Sequence, residues 1–147
     1  MLEGGFLSNE TATIRAAQTL GPYLRGGDIV LLSGPLGAGK STFARALIRA
    51  LPLSDGTQRD DEPVPSPTYT LLQTYERAIG LVGHFDLYRL NDPEEIWELG
   101  WEEILEGGIA LVEWPERLGQ FQPATGVNIT LKPQGDGRVL EIEDKRN

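Results

Sequence analysis

Three groups of residues in this sequence have types and spacings that could do chemistry. The first is Gly34-Pro35-Leu36-Gly37-Ala38-Gly39-Lys40-Ser41, which fits G-x-x-x-x-G-K-[ST] at every fixed position. Glycine at 34, 37 and 39 permits turns that a side chain would block, so backbone N–H groups can point inward at phosphate oxygens. In this pattern Lys40 reaches the β- and γ-phosphates and the Ser41 hydroxyl holds Mg²⁺. The second group is a pair of acids, Asp86 and Glu113, each following an apolar strand-like run. The third is Ser66-Pro67-Thr68, two hydroxyls around a proline.

The elements that must position these residues are legible around them. Asp28-Ile29-Val30-Leu31-Leu32-Ser33 reads as a strand entering the glycine loop. Apolar residues at 43, 46, 47, 50 and 51 give helical spacing after it. Strand, loop and helix in this order make a chance match to the motif a poor explanation. Upstream, Ser8 or Asn9 caps a helix over about 10–20 that buries Ile14, Ala17 and Leu20, and Gly21-Pro22 ends it.

Downstream, Pro52 to Pro67 reads as a loop rich in turn residues, with room for mobility. Strands over 69–75 and 81–88, separated only by 76–80, predict an antiparallel hairpin. Asp92-Pro93-Glu94-Glu95 starts a helix that turns Ile96, Trp97 and Leu99 inward and stops at Gly100. A short helix over 101–106 and a buried strand over 109–114 follow. Residues 127–131 and 138–142 alternate with period two around Pro133-Gln134-Gly135-Asp136-Gly137, predicting a hairpin at the sheet edge and a frayed tail over 144–147. The expected fold is α/β: one domain over 1–147, with a mixed, mainly parallel central sheet, helices on both faces and a β-hairpin insertion.

Asp86, at a strand end, is placed to face Mg²⁺. Glu113 is a lone acid at the end of Ile109-Ala110-Leu111-Val112, and an unpaired buried carboxylate costs several kcal/mol, roughly the penalty a metal or an activated water would compensate. It fits a second-sphere metal contact or a water-activating base. His84, the only histidine, fits a structural partner of a strand carboxylate better than a catalytic base. Ser66 and Thr68 fit a γ-phosphate sensor and a proline-fixed turn equally well. Tyr88 and Trp114 read as core.

Composition narrows the function classes. The 147 residues include no cysteine, which excludes disulfides, thiolate metal sites and cysteine nucleophiles. A net charge of −9 argues against a large nucleic-acid footprint. Between Leu90 and Glu116 there are nine acids and no Lys, Arg or His. That stretch fits a solvated face or a docking surface for a basic partner. No apolar run spans a bilayer and the first residues do not resemble a signal peptide, so a cytoplasmic protein is expected.

Together these residues resemble the TsaE (YjeE) family. The shared motifs are the loop through Thr42-Phe43, then Ser66-Pro67-Thr68-Tyr69, His84-x-Asp86-x-Tyr88-Arg89-Leu90, and Glu113-Trp114. The family's loop usually carries Asp where Pro35 stands and often Thr where Ser41 stands. The resemblance implies a slow, partner-stimulated Mg²⁺-dependent ATPase needed for threonylcarbamoyladenosine in tRNA. It implies ATP/ADP and Mg²⁺ as cofactors and TsaB- and TsaD-like proteins as partners, with tRNA met only indirectly and no membrane. It would place Ser41, Asp86 and Glu113 around Mg²⁺ and Gly37, Ala38, Gly39, Lys40, Ser41 and Thr42 on the phosphates. Thr13 would lie near the nucleotide and Arg138 would approach it. Lys40, Asp86 and Glu113 would carry catalysis, and Arg89 is a weak candidate for an arginine finger. Two other readings fit the loop, a small-molecule kinase and a non-catalytic nucleotide-sensing adaptor.

Overall fold

The computed structural model describes residues 2–58 and 62–146. A seven-stranded sheet runs through it in the order β1-β7-β6-β2-β5-β4-β3. The strands are β1 (Gly5–Leu7), β2 (Ile29–Ser33), β3 (Leu72–Arg77), β4 (Gly80–Asp86), β5 (Ile109–Glu113), β6 (Val127–Gln134) and β7 (Gly137–Asp144). Strands β6, β2, β5 and β4 pair in parallel, while β3–β4, β6–β7 and β1–β7 are antiparallel. The parallel part is therefore the centre of the sheet, and each flank is a hairpin or an antiparallel edge. The C-terminal hairpin is not the edge, because β1 covers β7.

Helices lie on both faces. On one face α1 (Glu10–Leu20) and α2 (Lys40–Ala50) cover Val30, Leu32, Val82, Ile109 and Leu111. The fully buried Phe43 and Leu47 of α2 each contribute about 1.5–3 kcal/mol by leaving water. On the other face α3 (Glu95–Glu98), α4 (Trp101–Leu105) and a 3₁₀ segment over Pro115–Phe121 cover Leu31, Phe85, Ala110 and Val112. Period two along β2 and β5 sorts the two cores, since neighbouring residues point to opposite faces.

Several sequence expectations shift here. Helix α1 is capped by the Asn9 side chain, which accepts the Ala12 N–H at 2.9 Å. It buries Thr13, Ala16, Ala17 and Leu20 and leaves Ile14 half-buried. Trp97 does not turn inward: it is 43% exposed and packs edge-on against Phe121, and Ile96 alone of α3 is fully buried. A four-residue helix is too short for periodicity to fix its inner face. Strand β3 starts at Leu72 because 67–71 forms a turn, closed by the Leu71 N–H donating to the Pro67 carbonyl at 2.6 Å. The tail is held rather than frayed through Arg146, whose guanidinium bonds Asp28 and Asp144 and donates to the Tyr23 carbonyl. Residues 59–61 of the expected mobile loop, and Asn147 of the expected frayed tail, lie outside the described residues.

Candidate functional site

The parallel centre of the sheet converges on one place. β2 ends at Ser33, and the chain then turns through Gly34–Gly39 into α2. Glycine is required at two points of that turn. A Cβ on Gly34 (φ 147°) would come within 2.3 Å of the Leu131 carbonyl oxygen, and one on Gly39 (φ 105°) within 2.7 Å of Arg138 Nη1. Beside the loop, β5 and β4 run parallel with Glu113 opposite both Leu32 and Asp86 in register. Glu113 follows Ile109 and Leu111 by period two, and Asp86 follows Val82 and His84, so all three polar groups share the face that α2 covers. Ligands of open α/β sheets bind at the carboxyl ends of the parallel strands.

The side chains here form a bonded set. Ser41 donates its hydroxyl to Glu113 Oε1 at 2.8 Å. His84 Nε2 lies 2.6 Å from Glu113 Oε2. Asp86 accepts the Thr68 hydroxyl on Oδ2 at 3.0 Å and the Tyr88 N–H on Oδ1 at 3.1 Å. Ser66 and Thr68 hydroxyls are 2.7 Å apart. Lys40 donates to the carbonyls of Gly34 and Pro35, the latter at 2.9 Å, and its ammonium sits 4.1 Å over the Trp114 ring. Burial lowers the Lys40 pKa, opposed by the charges of Glu113, Glu116 and Asp86.

A cavity of about 390 Å³ opens over this set, lined by Gly37, Gly39, Lys40, Ser41, Thr42, Thr68, Asp86 and Glu113, with Glu10, Leu36, Tyr88, Trp114 and Arg138 around them. Thus most of the expected site residues meet in one cavity. Two do not line it. Ala38 is buried, with its N–H donating to the Pro35 carbonyl at 3.2 Å, and Thr13 is buried in α1, with its hydroxyl donating to the Asn9 carbonyl at 3.3 Å.

Tyr88 is not core, and Trp114, half-buried against the second core, also reaches the site. Tyr88 is 37% exposed, the two rings lie 4.9 Å apart, and both line the cavity. Trp114 reaches it because its backbone is left-handed (φ 58°), immediately before Pro115. Such a conformation costs a non-glycine residue about 1–3 kcal/mol and is concentrated at functional sites. The sequence held a weak signal for this, an aromatic caught between a strand-end acid and a proline. Arg89 stacks at 4.4 Å on Tyr69, which is 81% exposed, and does not line the cavity. Arg138 does, with its Nε buried and lacking a partner among the described residues.

Ser41, Asp86 and Glu113 offer oxygen donors only, the preference of a hard cation. Among the described residues no cluster of three His, Cys, Asp or Glu side chains forms a metal cage. That set fits Mg²⁺, which is usually held by one or two carboxylates together with phosphates and waters rather than by a dedicated protein cage.

A strand–loop–helix with a cradled lysine, a seryl hydroxyl at the helix start and two strand-end acids defines a phosphate-loop protein of the nucleotide-binding kind. The family model described as "Threonylcarbamoyl adenosine biosynthesis protein TsaE" matches residues 7–140, and the chain belongs to that family. Among its relatives, the tRNA threonylcarbamoyladenosine biosynthesis protein TsaE of Rickettsia felis is 46% identical over 91% of this chain and 75% of its own length. That of Aquifex aeolicus is 37% identical over 80% of each chain. The crystal structure of Bacillus subtilis YdiB shares the fold, with a TM-score of 0.70 and 23% identity over 93% of this chain and 81% of that one.

Proposed function

We propose that this chain is a slow Mg²⁺-dependent ATPase that supports formation of N6-threonylcarbamoyladenosine in tRNA. It would do so in the cytoplasm, as one domain, by acting on a TsaB–TsaD-type transferase complex. The observation that carries the reading is the 2.8 Å hydrogen bond from Ser41 to Glu113, which ties the phosphate loop to a strand-end acid beside Asp86. A loop built only to bind an anion has no need of that link.

In this reading the N–H groups of 37–42 and Lys40 hold the phosphates, with Arg138 approaching the nucleotide. Ser41 and Asp86 face the cation, and Glu113 orients Ser41 or the attacking water. Mg²⁺, when bound, would neutralise charge on the β- and γ-phosphates. The Thr68 hydroxyl, bonded to Asp86, links the Ser66–Tyr69 turn to the same centre and would report γ-phosphate there. Slow turnover is part of this reading because Arg89 does not line the cavity and Arg138 is assigned to binding the nucleotide, leaving no arginine finger in cis, a contribution worth about 10³–10⁵ in rate. A small-molecule kinase would need arginines over the transferring group, and the stretch 90–116 has none.

The test is capture of TsaB- and TsaD-type proteins by the purified chain with and without ATP, alongside its own ATP turnover. Nucleotide-dependent capture and slow isolated turnover are expected. Turnover of several per second by the chain alone would overturn the proposal. Glu113→Ala separates hydrolysis from sensing: tRNA modification that survives with hydrolysis abolished makes the protein a nucleotide-sensing adaptor.

A further inference from the structure

The geometry points to His84 as a positioning residue that sets the cation-binding orientation of Ser41 through Glu113. This rests on the reading of Ser41 as a metal-facing hydroxyl. His84 is fully buried in β4, with Nε2 2.6 Å from Glu113 Oε2, while Glu113 Oε1 accepts the Ser41 hydroxyl at 2.8 Å. The three side chains make a line from the sheet interior to the first turn of α2.

The proton positions follow from what surrounds the ring. His84 Nδ1 is buried and has no hydrogen-bond partner among the described residues. A proton on Nδ1 would leave a buried N–H unpaired, and the bare Nε2 would set a lone pair against a carboxylate oxygen. The proton therefore sits on Nε2 and is donated to Glu113. With Oε2 taken, Glu113 turns Oε1 to Ser41. The single hydroxyl proton of Ser41 is then committed to Glu113, and its oxygen lone pairs are left for the cavity, the orientation a hard cation needs. Remove the imidazole donor and the carboxylate can rotate, releasing Ser41 to turn its proton toward the cation.

A histidine present only to fill space predicts something different, because an apolar residue of similar volume would then serve. The test compares His84→Leu with His84→Gln, which retains an N–H donor. The readout is ADP affinity by calorimetry with Mg²⁺ and with EDTA. His84→Leu is expected to lose the Mg²⁺-dependent tightening about tenfold or more, the usual cost of removing an outer-sphere partner, and to keep its affinity in EDTA. His84→Gln should stay close to the native protein.

The native chain provides a second readout that needs no variant. It has one histidine, so a ¹⁵N imidazole spectrum contains a single ring. The Nε2–H tautomer is expected, with resonances that move when Mg²⁺ is added to the ADP complex and stay still with ADP in EDTA. An Nδ1–H tautomer, a ring indifferent to Mg²⁺, or a His84→Leu variant with native Mg²⁺ dependence would each overturn the assignment. Failure of the native chain itself to bind nucleotide with Mg²⁺ would instead remove the phosphate-loop reading on which it rests.

Discussion

The two ends of β2 carry the same kinds of charged groups and use them in opposite ways. At its start, Arg146 is bound by Asp28 at 2.8 Å, by both carboxylate oxygens of Asp144 at 2.9 Å and by the Tyr23 carbonyl at 2.8 Å. The geometry is closed, with each group facing its opposite. At its far end the polar groups are only partly matched. Lys40 leans on two carbonyls, Arg138 Nε and His84 Nδ1 lack partners among the described residues, and Asp86 and Glu113 stand side by side. A network that satisfies itself fastens the fold. One whose polar groups stay part-matched beside a cavity is arranged for something that is not protein.

This contrast can be broken experimentally, and the largest effect should come from the open end. Lys40→Ala removes the cation proposed to hold the phosphates, so nucleotide affinity measured by calorimetry should fall about 100-fold, the worth of two charge-assisted bonds. Glu113→Gln should lower turnover about 10²–10³-fold in a phosphate-release assay, with nucleotide still bound.

The closed end should answer in stability alone. Arg146→Ala leaves Asp28 half-enclosed without its cation, so urea unfolding should show a loss of about 1–3 kcal/mol, with nucleotide affinity unchanged. The smallest effect is a pH dependence. Hydrogen bonds from Arg146 hold the Asp144 pKa down from 3.8 to about 2. A depressed carboxylate stabilises the folded state above its unfolded pKa and loses that contribution as pH falls through the folded one. The stability gap between native and Arg146→Ala protein should therefore be full above pH 4 and narrow toward pH 2, as thermal unfolding across that range would show.

The contrast also explains what the sequence revealed. The open end was legible because its chemistry lies in fixed spacings: the glycines around Lys40, the acids closing two apolar runs, the hydroxyls beside Pro67. The closed end was not. Arg146 meets Asp28 across 118 residues, and no local pattern records such a contact. The same reason hid β1, three residues long and paired only with β7. Trp97 was misread because α3 spans barely one turn, and the cavity-lining side of Trp114 was missed because its left-handed backbone depends on the strand and the 3₁₀ segment around it. The parallel centre was expected from the strand–loop–helix order around the glycine loop, and the two hairpins of the flanks from short turns that could be read directly.

Pro35, the departure inside the loop, closes a small circuit. Its carbonyl oxygen receives both the Ala38 N–H and the Lys40 ammonium, and the Gly34 carbonyl shares the ammonium. The loop thus carries a tethered competitor for its own lysine. An entering phosphate does not meet a free cation; it must win an exchange against two oxygens held at a fixed distance by the chain. In the proposed reading the strength of that internal rival would set a floor on how dilute a nucleotide could be and still be captured, and the rival oxygens belong to the backbone, not to the proline ring.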